Sequence, residues 1–128
     1  MAATIQHTDP HLRVKNVARA AEWYTRMLGL KVEMAMPDKK APTFVRLGND
    51  ASVAMMISDG GDMVNGKGPN KTTAAAISAR KAQHVVDVYY RVDTDIKKLY
   101  SSVKRKGAKI SQELVEQAYG MLEFAMKD

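Results

Sequence analysis

One small module is written twice in this chain. Leu12-Arg13-Val14-Lys15-Asn16 through Met27-Leu28-Gly29-Leu30-Lys31-Val32 lies over Tyr90-Arg91-Val92-Asp93-Thr94 through Arg105-Lys106-Gly107-Ala108-Lys109-Ile110 at a constant offset of 78 residues. Each copy reads strand, helix cap, amphipathic helix, glycine stop, strand. A duplicated unit in 128 residues predicts a pseudo-symmetric fold with a site between its halves.

The local pattern supports each element. Leu12 and Val14 alternate with His11 and Arg13, so the two pairs face opposite sides of a strand. Asn16 is a helix N-cap. Val17, Ala20, Ala21, Tyr24, Met27 and Leu28 recur at helical spacing, and Gly29 stops the helix. Three strands follow, Lys31–Met36, Thr43–Leu47 and Ser52–Ser58, with turns at Pro37-Asp38, Pro42 and Gly48-Asn49-Asp50. Residues 59–83 read as a glycine-marked linker loop, with a short alanine-rich helix over Thr72–Lys81. The second copy begins with a strand, His84–Val92, placing Val86, Val88, Tyr90 and Val92 on one face and Val85, Asp87, Tyr89 and Arg91 on the other. Thr94 is its cap, Ile96, Leu99, Tyr100 and Val103 its helix stripe, and Gly107 its stop. Strands over Lys109–Ser111, Leu114–Gln117 and Tyr119–Lys127 follow.

Composition excludes several classes. No apolar run reaches the length of a membrane span, and the first residues lack a signal-peptide pattern, so a cytoplasmic protein with no membrane partner is expected. With no cysteine, disulfides and thiolate metal sites are impossible. The net charge of +6 favours anionic partners over cationic ones. It does not argue for nucleic acid, because no basic strand face carries interleaved aromatic residues. The glycine-rich stretch Gly66-Lys67-Gly68-Pro69-Asn70-Lys71-Thr72 lacks the spacing of a phosphate-binding loop.

The segments His11-Leu12-Arg13-Val14-Lys15-Asn16-Val17 and Ala20-Ala21-Glu22-Trp23-Tyr24-Thr25-Arg26-Met27-Leu28-Gly29-Leu30, with Tyr119-Gly120-Met121-Leu122-Glu123-Phe124-Ala125-Met126-Lys127-Asp128, resemble the vicinal oxygen chelate superfamily of glyoxalases, bleomycin-resistance proteins and extradiol dioxygenases. The resemblance implies an α+β fold in which two tandem βαβββ modules form an open, curled mixed sheet around a cavity. Residues 1–58 would be the first module, 59–83 the linker and 84–128 the second module. The second is expected to lack its last strand, and the two together form one domain.

Enzymes of that superfamily hold a divalent metal through four side chains, one from the first and one from the last strand of each module. The resemblance places the first ligand at Asp9, its repeat mate at Asp87, and another near Ala54 or Met55, which offer no suitable donor. His7 shares strand parity with Asp9, so an Asp9, Asp87 and His7 site is the metal arrangement to test. Asp87 and Glu123 are candidates for a metal-free acid and base pair. The ligand cavity is expected to include His11, Arg13, Met55, Tyr89, Met121 and Glu123, because methionines adapt to varied apolar surfaces. With most metal ligands absent, the expected function is binding of a small neutral or anionic organic ligand without a cofactor. The alternative is a divalent-metal-dependent lyase, isomerase or dioxygenase with an aspartate-rich site. A homodimer is expected, as members of the superfamily commonly pair.

Overall fold

Asn16 starts the first helix through its side chain. Its Oδ1 accepts the Arg19 N–H at 3.0 Å, satisfying one of the free amide donors at a helix N-terminus. Helix α1 then runs Val17–Leu28 and ends at Gly29, whose φ of 68° suits a residue without a Cβ. Our computed structural model describes residues 3, 8–49, 54–61, 67–83, 88–92 and 95–127. Four strands from the first half, β1 (His11–Arg13), β2 (Lys31–Met36), β3 (Phe44–Gly48) and β4 (Ala54–Ser58), make an open sheet in the order β1-β4-β3-β2. β1 is parallel to β4, and the other neighbours are antiparallel.

Strand alternation gives this sheet two different faces. Leu12, Val45, Leu47, Met55 and Ile57 point to one side, where they bury against Val17, Ala21 and Tyr24 of α1. Each such fully buried aliphatic side chain contributes about 1.5–3 kcal/mol of transfer free energy, so this layer is the main core. Trp23, off the helix stripe, packs at its margin and meets the Tyr24 ring edge-on at 4.8 Å between centroids.

The second half contributes α2 (Lys71–Gln83), α3 (Ile96–Arg105), β5 (Lys109–Glu116) and β6 (Leu122–Lys127). Asn70 caps α2 by accepting the Thr73 N–H at 2.9 Å, so the alanine-rich helix is slightly longer than expected. The cap of α3 is Asp95, whose Oδ1 accepts from the amides of Lys97 and Lys98 at 3.0 and 3.3 Å. The sequence reading placed that cap one residue earlier at Thr94, outside the described residues; an ionised aspartate is the stronger acceptor. β5 and β6 pair antiparallel as a separate two-stranded sheet. They pack on α3, and α3 on α1. Val103 is fully buried there, and Tyr100 stacks edge-on to Phe124 at 5.0 Å.

Two strand assignments change. The expected strands Lys109–Ser111 and Leu114–Gln117 are one strand, β5, with register shifts between Ile110 and Gln112 and between Gln112 and Val115. Such bulges break the alternation that sequence reading relies on. Among the described residues, 88–92 pair with no strand; the alternation inferred for them is kept by Val88, Tyr89 and Tyr90 but not by Val92, which is exposed. Val88 and Tyr90 pack on the core, and the Tyr90 hydroxyl donates to Met55 Sδ at 3.0 Å, while Tyr89 is 86% exposed. The rest of the expected His84–Val92 strand lies outside the described residues.

Candidate functional site

The sheet face opposite α1 carries the polar chemistry. Strand register sets two rows across it. His11, Met56, Arg46 and Met34 stand in line over all four strands, and Arg13, Ser58, Phe44 and Met36 form the next. In the first row, methionines thus alternate with an imidazole and a guanidinium.

Arg46 is the electrostatic centre of the first row. Its Nη2 lies 3.7 Å from Asp9 Oδ2 and its Nη1 lies 3.4 Å from Glu33 Oε1. The side chains are partly enclosed, at 35% exposure for Arg46, 18% for Asp9 and 28% for Glu33. Two local features aim Glu33. The β2–β3 register shifts between Val32 and Met34, so Glu33 is the extra residue of a bulge, a device that redirects a side chain. Gly48, two residues from Arg46 on β3, leaves the space its carboxylate occupies: a Cβ there would lie 2.6 Å from Glu33 Cδ.

At the other end, His11 Nε2 lies 2.8 Å from Ser58 Oγ, and that oxygen accepts the Gly60 N–H at 3.3 Å. With Oγ already accepting, the serine hydroxyl proton is free to point at an unprotonated Nε2. Burial, and then the nearby Arg13 charge, lower the His11 pKa from 6.5. Both causes favour the neutral ring. The His11 ring also meets Phe44 edge-on at 6.1 Å. Thr73 of α2 approaches Gly60 so closely that a Cβ there would lie 2.6 Å from its Cγ2 and 3.4 Å from Arg13 Cδ. The start of α2 therefore flanks this end of the face, while Met34 at the far end is 49% exposed.

The structure brings together only part of the expected site. His11 and Arg13 share this face, as their parity implied. Met55, expected in the ligand cavity, is fully buried in the α1-facing core; its neighbour Met56 takes the opposite face. Tyr89 points to solvent. Met121 and Glu123 belong to the β5–β6 hairpin, which shares no strand pairing with the four-stranded sheet. Glu123 there accepts the Tyr119 hydroxyl at 2.7 Å. His7 and Asp87, and with Asp87 the proposed acid–base pair, lie outside the described residues. Arg46 and Glu33 were missed. The available signal was a single cation inside the apolar run Phe44-Val45-Arg46-Leu47, on the face opposite Val45 and Leu47.

Two hollows lie away from this face. One of about 280 Å³ runs between α1 and the β2–β3 pair, lined by residues including Ala18, Thr25, Val32 and Pro42. A shallower one follows Lys97, Ser101 and Arg105 on the exposed side of α3. Among the described residues, no helix is long and apolar enough to cross a membrane.

Residues 4–128 match the sequence model of the Glyoxalase/Bleomycin resistance protein/Dioxygenase superfamily, and the chain belongs to that superfamily. Solved structures agree on the fold. TioX from Micromonospora sp. ML1 is similar at TM-score 0.65 and 16% identity, covering 97% of this chain and 90% of that one. UcmS2 gives TM-score 0.67 at 21% identity, covering 98% and 92%. A superfamily member from Sphaerobacter thermophilus DSM 20745 gives 0.61 at 14%, covering 98% and 90%. No curated protein sequence matches the chain.

The divalent metal of the superfamily's enzymes does not fit the described residues. Asp9, the expected first ligand, faces the guanidinium of Arg46. Two like unit charges 4 Å apart repel by about 4 kcal/mol at an effective dielectric of about 20, and a divalent ion doubles that. Ala54 and Met55 supply no hard donor, and among the described residues no three of His, Asp and Glu form a metal-binding group.

Proposed function

We propose that this protein binds a small neutral or anionic organic molecule on the sheet face carrying Met34, Met56, Arg46, His11 and Arg13, without a metal. The observation that carries this reading is the row His11–Met56–Arg46–Met34. Adaptable thioethers there offer apolar contact, and Arg46, held between Asp9 and Glu33, offers a ligand oxygen the N–H donors not turned to those carboxylates. Net charge points the same way, since +6 disfavours a cationic ligand.

A thermal-shift screen with aromatic carboxylates, neutral aromatics and aromatic amines tests it. Carboxylates and neutral rings should raise the melting temperature, with the carboxylate effect diminished in Arg46→Met. If no probe of any class stabilises the protein, the reading fails. The same reading includes a homodimer, for which the exposed Val32 and Met34 of the edge strand β2 and Met121 and Leu122 of the hairpin provide apolar surface. A monomeric mass by light scattering would remove that part.

A further inference from the structure

We propose that the Arg46 guanidinium is the resident cation of this site, standing where a metalloenzyme of this fold would place a divalent ion and keeping such ions out. Two carboxylates approach it, and the chain makes room for one of them. Asp9, at the position where the first metal ligand is expected, is turned to Nη2 at 3.7 Å. Glu33 lies 3.4 Å from Nη1, although it sits on a different strand, as the extra residue of a bulge. Gly48 leaves the gap that the Glu33 carboxylate fills. Two carboxylates converging on one point is the demand a hard cation makes. Here a covalently attached cation meets it. Each carboxylate is partly enclosed, and the guanidinium is the cation beside both.

This inference goes beyond the ligand-binding reading and stands whichever molecule the face accepts. Its prediction is a gain of metal binding on removal of one positive charge. Arg46→Met keeps the apolar stem and removes the guanidinium, leaving Asp9 and Glu33 to be neutralised from solution.

The test is a titration of manganese(II) chloride against the full chain, with free metal read by electron paramagnetic resonance and stability by thermal melting. Wild type should retain no manganese at about 1 mM, near the weak end of carboxylate cation sites, and its melting temperature should not move. Folded Arg46→Met should bind about one manganese per chain and melt higher as metal is added, as mass action requires. Adding Asp9→Asn to that variant should abolish both effects. Arg46→Lys, which keeps a cation, should behave as wild type. Wild-type binding that Asp9→Asn abolishes would overturn the proposal without any need for the Arg46 variants to fold. So would a cooperatively melting Arg46→Met that gains no metal, or an Arg46→Lys variant that gains it.

Discussion

Arg26 and Lys106 exchange hydrogen bonds across the two halves of the molecule. Arg26 Nη1 donates to the Lys106 carbonyl at 2.7 Å, and Lys106 Nζ donates to the Arg26 carbonyl at 2.9 Å. The first residue lies in the last turn of α1, and the second is the C-cap of α3. Each places a cation on the carbonyl end of the other helix, where the dipole favours positive charge. The two helices therefore meet at their C-terminal ends.

Both residues are exposed, so the exchange should be weak. Arg26→Ala and Lys106→Ala are each expected to cost less than about 1 kcal/mol. Their double variant should fall short of additivity by a few tenths of a kcal/mol. Urea unfolding of the four proteins measures this, and full additivity would show that the two bonds are independent.

Met55 and Met56 are neighbours with opposite duties. Met55→Ala should cost about 2–5 kcal/mol, the range for emptying a packed core site, and it removes the acceptor of the Tyr90 hydroxyl. Met56→Ala, on the open face, should cost much less than its neighbour. Chemical denaturation separates the two, and equal losses would contradict the face assignment.

Gly48→Ala puts a methyl group where the Glu33 carboxyl lies. Because the end of a flexible chain can swing away, the cost should stay below about 1 kcal/mol, the scale of a partly exposed ion pair. In a Glu33→Ala background the same substitution should cost nothing further. A penalty that persists there would place the conflict in the backbone instead.

His11 makes stability depend on pH with a definite sign. Its folded pKa lies below 6.5, so the folded chain takes up a proton less readily than the unfolded one. Its contribution is full above pH 6.5, is lost as pH falls below that value, and levels off beneath the folded pKa. Melting temperatures between about pH 5 and 8 should therefore show a decline on the acid side that is reduced in His11→Gln. An identical profile in the variant would assign the decline to other groups.

The elements and their faces were written in the chain itself. Caps, glycine stops and helical stripes are local signals, so α1 and α3 could be placed within a residue or two, and the repeat announced their kinship. Alternation likewise put His11 and Arg13 on one side and separated Met55 from Met56, because strand side chains alternate whatever the sheet around them. Which of those faces would meet the helix was a packing question, and there Met55 went to the core. The Arg46 centre depended wholly on tertiary structure. Asp9, Glu33 and Arg46 come from three separate segments, and their meeting requires the β2–β3 register, the bulge at Glu33 and the space over Gly48. Register is set by the joint fit of strands, which no single stretch of sequence carries. The joining of two expected strands into β5 and the absence, among the described residues, of a strand partner for 88–92 have the same cause. Hydrogen bonding to a neighbour defines a strand, and the neighbour is supplied only by the fold.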